Sequence, residues 1–292
     1  MKQKALAIFI GLIMVLSAFA GFVMRGGNGP AEETQETGTG SLTDFGVAGR
    51  LVEWPFTSVG DLLEMCPDNL IIAYWIDLER SQNLTEAVRA TISPNLPNVG
   101  LSYGESLETI YSSKVERVGV AFFDDGWTEF HWMVPARVGY EGLVIPYENF
   151  MIIPWSTDYS TVMGRPTLFG PQKSLEKIID VVTGGASTDR FSLPYGEMAD
   201  FQLASLGRSS AKDTYLPLDG GFQELYIGVS AEDDLYTLIV KCISPLSSTN
   251  QKLKQVAMAH DLKLSTSDGY IEITGTVPSD ELDEVLGAFL AP

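Results

Sequence analysis

The chain has only two histidines, His131 and His260, so any imidazole chemistry must run through one of them. His131 carries the stronger pattern: Glu129 stands two positions earlier, and a two-residue step along a strand returns to the same face. A carboxylate beside an imidazole suits general acid–base work, or supplies two ligands of a metal centre. One histidine and one carboxylate fall short of a metal site's usual ligand count, and the same pair also reads as a hydrogen-bonded structural element of a hairpin. His260 falls near the end of a predicted helix, where partial positive charge suits the helix dipole.

Other chemistry-bearing residues gather at turns. Asp124-Asp125, Glu232-Asp233-Asp234 and Asp268 supply oxygen atoms of the kind calcium takes, yet none follows the D-x-[DN]-x-[DN]-G spacing. Asp before Gly is also what a tight hairpin turn wants. Ser209-Ser210-Ala211-Lys212 fits S-x-x-K in letters, but lies in a Gly/Ser-containing stretch with no SDN or KTG downstream. The chain lacks GxxxxGK[ST], GxGxxG after a strand, HExxH, GxSxG and CxxC. Nucleotide hydrolysis, dinucleotide redox chemistry, common zinc proteolysis and α/β-hydrolase chemistry therefore lose ground, and no cofactor is implied.

Cys66 and Cys242 are the only cysteines. A bond between them would close a very long loop, worth about 5 kcal/mol in the chain-entropy picture. Buried unpaired cysteine packs as a small hydrophobe, and two buried thiols are the expected state.

The elements that must position these groups alternate between strand and helix periodicity. Asn69 to Leu78 is β-branched and aromatic and predicts a buried strand. Leu84, Ala87, Val88 and Thr91 follow at helical spacing. Val115 to Val138 predicts a hairpin turning at Asp125-Gly126, with Ala121 facing Phe130, Gly119 facing Trp132, and Gly119 leaving room for the indole. Both hairpin faces carry large apolar groups, as in a sheet covered on both sides. Strand-like pieces at 143–147 and 150–155 precede a helix carrying Leu175, Ile178, Ile179 and Val182, which Gly184-Gly185 stops.

A second cycle follows: a strand over 199–206, a hairpin over 224–243, a helix over 249–260 with Ser248 and Gln251 as a capping box, a hairpin over 264–277, and a last helix burying Leu282, Val285, Leu286 and Phe289. The expectation is α+β architecture, amphipathic helices packed on mainly antiparallel sheets, in two halves at 44–190 and 191–292. Their similar order of elements suggests two degenerate repeats, with the ferredoxin-like βαββαβ unit as the nearest simple model. All five tryptophans fall in the first half, which favours a larger core there over an aromatic binding surface.

At the N-terminus, Lys2 and Lys4 lead into an apolar run from Ala5 to Met24. Twenty such residues just span the roughly 30 Å hydrocarbon layer, and Ala18-Phe19-Ala20 before Gly21 has the small-x-small form of a cleavage site. Residues 1–24 are therefore a membrane anchor or a cleaved signal peptide, and in either case the remainder is exported. Residues 25–43 read as a solvated Gly/Thr/Glu-rich tether reaching about 25 Å. With 38 acidic residues against 19 basic ones and a net charge of −19, the chain disfavours nucleic acid. These features suggest a non-enzymatic cell-envelope protein that binds or assembles. Its expected partners are the membrane through residues 5–24 if uncleaved, and an envelope protein or ligand that the sequence does not name. The alternative is an extracytoplasmic hydrolase or metal-dependent enzyme centred on Glu129 and His131 or on the acidic turns.

Asn83-Leu84-Thr85 is an N-x-[ST] sequon, whereas Asn95 and Asn98 lack the hydroxyl residue two places on. In a host that glycosylates exported proteins, glycopeptide mapping of native material should find Asn83 modified. Asn83 bare in every molecule would reject the assignment.

Overall fold

The computed structural model describes residues 49–92, 112–134, 143–207, 217–232 and 235–290. The expected anchor or signal, the tether, the S-x-x-K stretch and Asp233-Asp234 lie outside the described residues. Among the described residues, no helix is long and apolar enough to cross a membrane.

In chain order the elements are β1 (Val52–Glu53), α1 (Val59–Glu64), β2 (Leu70–Asp77), α2 (Gln82–Ile92), β3 (Lys114–Phe123), β4 (Gly126–Val134), β5 (Ile145–Tyr147), β6 (Phe150–Pro154), β7 (Ser160–Val162), β8 (Gly164–Arg165), β9 (Thr167–Gly170), α3 (Gln172–Val182), β10 (Phe201–Leu206), β11 (Glu224–Glu232), β12 (Leu235–Ile243), α4 (Ser247–Ala259), β13 (Lys263–Ser267), β14 (Tyr270–Pro278) and α5 (Leu282–Leu290). Twelve strands form one sheet in the order β13-β14-β12-β11-β10-β2-β3-β4-β9-β7-β6-β5. Its centre is the antiparallel pairing of β2 with β10, Phe201 opposite Ile76 and Ser205 opposite Ile72, which joins a strand from each half.

The architecture is α+β, with helices on a large antiparallel sheet. Every neighbouring pair in this sheet is antiparallel, and two ferredoxin-like repeats are not resolved in its strand order.

Period-two alternation sorts the apolar side chains onto two faces. One face carries Tyr74, Val120, Leu203, Ile227 and Val240, and packs against Leu84 and Val88 of α2, Leu253 of α4 and Leu286 of α5. The other carries Ala73, Ala121, Phe130 and Tyr226 beneath Leu62 of α1 and Ile178 of α3. Because α2 comes from the first half and α5 from the second, the first core depends on both. Ser81 starts α2, its Oγ accepting the Leu84 N–H at 3.2 Å. Asn83 lies exposed in the first turn of this helix.

Several local expectations shift in the structure. The β3–β4 turn is Asp124-Asp125, with Phe123 opposite Gly126, so Gly119 faces Phe130 and Ala121 faces Thr128. Sliding by one residue on each strand keeps each side chain on its expected face and changes only its partner. Gly126 is needed for packing: a Cβ there would come within 2.4 Å of Ser174 Oγ at the start of α3. Gly119 makes room for Leu62 and Phe56 rather than for Trp132, a Cβ there falling 2.4 Å from Leu62 Cδ1. The capping box of Ser248 and Gln251 does not form, because α4 begins two residues earlier with Leu246 at its N-cap and no side-chain cap. The pieces at 143–155 close into a hairpin whose turn residues Glu148 and Asn149 both take positive φ, as a type I′ turn requires.

Cys66 packs in the core beneath α1 and α3, and Cys242 in the core on the opposite face. Both are buried, no disulfide joins them, and burial pushes the Cys66 thiol well above its usual range. Without reductant, both thiols should resist labelling in the native chain and both should react once it is denatured. A monomer with no reactive thiol after denaturation would contradict this placement.

Candidate functional site

The structure brings Glu129 and His131 together on β4. His131 Nε2 and Glu129 Oε2 are 2.8 Å apart, and both side chains are 0% exposed. Their position follows from alternation: Glu129 stands opposite Val120 and His131 opposite Val118, on the face that packs against α2, α4 and α5. On the other flank, Phe169 of β9 is opposite Glu129, and its ring lies 6.4 Å from the imidazole. Glu129 Oε1 has no hydrogen-bond partner among the described residues. Tyr74 shares this face, and burial, with the Glu129 charge adding to it, holds its phenol well above the ordinary range. A general acid–base pair must reach the proton it moves, and a pair with no exposed surface offers a substrate no approach.

At the Asp124-Asp125 turn the carboxylates are held by an amide and an ammonium group. Asn69 Nδ2 donates to Asp124 Oδ1 at 2.6 Å and to Asp125 Oδ1 at 2.9 Å, while Lys177 Nζ holds both oxygens of Asp125. The Lys177 hydrogen bond lowers the Asp125 carboxyl below its usual range. Among the described residues, no group of three or more His, Cys, Asp or Glu side chains is placed to hold a metal ion.

A different cluster reaches solvent at the end of the sheet where the two halves meet. Asp77 ends β2, Asp200 immediately precedes β10, Arg117 lies near the start of β3 and Glu232 ends β11. Together with Arg80 and Trp75 they line an open cleft of about 440 Å³. The two aspartates are fixed by the backbone: Asp200 Oδ2 accepts the Ala231 N–H at 2.8 Å, and Asp77 Oδ1 accepts the Glu79 N–H at 3.0 Å. Their other oxygens meet arginines loosely, Asp200 Oδ1 lying 3.5 Å from Arg80 Nε and Asp77 Oδ2 3.8 Å from Arg117 Nε. Arg117 also lies over the Trp132 ring, 5.6 Å from its centroid, and donates through Nη1 to the Phe56 carbonyl at 3.4 Å. Sequence reasoning missed this cluster. Its only local signal is charge flanking apolar strands, and what gathers it is the long-range pairing of β2 with β10.

No family model matches the chain, and no curated protein does. Among solved structures, crystal form I of TP0453 is similar over 78% of this chain and 97% of its own, with a TM-score of 0.48 and 10% identity. Crystal form III of TP0453 covers 77% of this chain and 97% of its own, with a TM-score of 0.47 and 11% identity. Likeness at this level carries no residue role across.

A double-mutant cycle tests the Glu129–His131 pair. Glu129→Leu and His131→Leu should each cost about 3–5 kcal/mol in urea unfolding, because each strands a buried polar partner. The double substitution should cost clearly less than their sum. Strict additivity would show that the two side chains do not stabilise each other.

Proposed function

We propose that the chain is a non-enzymatic, exported cell-envelope protein, tethered by or cleaved after its apolar N-terminus, whose folded part binds or assembles with another envelope component. One observation carries the non-enzymatic part of this reading. The only His–carboxylate pair found among the described residues is fully buried, whereas Asp77, Arg80, Arg117, Asp200 and Glu232 line a cleft open to solvent. A catalytic site built on His131 would need a pocket into which its imidazole and more than one carboxylate projected. The alternative of a hydrolase or metal-dependent enzyme at Glu129 and His131 draws support from residue types alone.

Export and tethering rest on the sequence: Lys2 and Lys4 before a twenty-residue apolar run, then a polar tether. Fractionation of native cells with intact-mass measurement tests them together. The expected result is a membrane-associated chain that retains residues 5–24, with a folded part accessible to protease from outside and crosslinked to an envelope component. A mature N-terminus at Gly21 would remove the anchor and leave export standing, and a cytoplasmic chain would overturn the proposal.

A further inference from the structure

We infer that the cleft between the two halves is a binding site for the dipolar head of an α-amino acid, presented by a free amino acid or by a dipeptide. This rests on reading the chain as a binding module, and it names the ligand class. The cleft is lined by Arg80 and Arg117 against Asp77, Asp200 and Glu232, so its formal charge is close to balanced, with one negative charge in excess. Such a balance favours neither a simple anion nor a simple cation. It suits a ligand carrying both charges a few ångströms apart, the carboxylate going to the guanidinium groups and the ammonium to the aspartates.

The hydrogen-bonding state of these groups points the same way. Each aspartate is oriented by one backbone N–H and holds its arginine only at 3.5 or 3.8 Å, looser than a direct charge-assisted hydrogen bond. Arg80 is 63% exposed in its side chain, and Asp200 is its sole partner among the described residues, so its terminal nitrogens remain available as donors. Trp75, 3% exposed, lines the same cleft. Met198, 73% exposed at the rim, and Ala199 and Ala231 give the cleft an apolar side that can receive the side chain of the ligand. The volume falls within the ordinary range for small-molecule sites.

The test uses the full chain in a non-ionic detergent, titrated calorimetrically with each free proteinogenic amino acid and with a panel of dipeptides. Saturable binding of at least one is expected, and whether the free amino acids or only the dipeptides bind identifies the source. N-acetylation or C-terminal amidation of that ligand should each weaken binding by about tenfold or more, the worth of one charge-assisted hydrogen bond. Arg80→Gln should weaken it similarly without altering urea unfolding, since the side chain is largely exposed. No saturable binding across both panels would overturn the inference. So would equal affinity for blocked ligands, for acetate or for methylammonium, or an unchanged affinity in Arg80→Gln. A silent titration leaves the membrane fractionation and the mature N-terminus as they were, so loss of this ligand is distinguishable from loss of the export reading.

Discussion

The pairing of β2 with β10 is the contact on which the rest of the molecule depends. These strands lie far apart in the chain, and their ladder from Ile72–Ser205 to Ile76–Phe201 converts two sets of hairpins into one sheet. Both strands are interior and nearly fully buried, so breaking the ladder would expose backbone donors and acceptors together with two apolar faces. The packing of α2 against α5 crosses the same junction from above, and the Val59 N–H bonded to Gln202 Oε1 at 3.3 Å crosses it from below. The cleft is a consequence of the same pairing, because Asp77 and Asp200 are neighbours only where β2 ends beside the start of β10: the Asp77 N–H donates to the Asp200 carbonyl at 2.9 Å.

A sheet covered on both faces has few places for polar side chains, and two of its buried carboxylates meet specific partners. Glu224, 3% exposed, accepts hydrogen bonds from the Ser192 and Leu193 N–H groups and from Ser192 Oγ, which fixes the segment leading from α3 towards β10. Glu129 meets His131. Such pairs cost desolvation that their mutual attraction roughly offsets, and they discriminate against arrangements in which either partner would be buried alone. Glu129 and His131 both belong to β4, so the pair moves as a unit with that strand and gives each group a partner on its buried face.

What the sequence disclosed depends on how local the cause is. The β11–β12 hairpin spans 224–243 as its alternation predicts, and α3 buries Leu175, Ile178 and Ile179 as their spacing requires, because each pattern is set by one period and one neighbouring layer. The Asp-Gly turn was misleading, since Gly126 answers to Ser174 nearly fifty residues on rather than to the turn. The capping box failed for a related reason: the Leu246 N–H is bonded to the Gly221 carbonyl at 2.6 Å, which starts α4 before Ser248 can cap it. The type I′ turn at Glu148-Asn149 gave little sign, because only Asn149 is a residue that favours positive φ. Glu129 and His131 were visible as neighbours, but their burial was not, for it depends on which strands and helices cover that face. Arg80, Arg117, Asp77 and Asp200 read as ordinary strand-end charges until the halves are joined.

Hydrogen exchange of the full chain, resolved by peptide, tests the central junction most directly. If one sheet spans both halves, amides of β2, β3, β10 and β11 should be the slowest in the molecule and should open with a common free energy, because none can be released without exposing both cores. Fast exchange in β10 and β11 while β2 and β3 stay protected would show that the halves unfold independently, and would contradict both the continuous sheet and the cleft that depends on it.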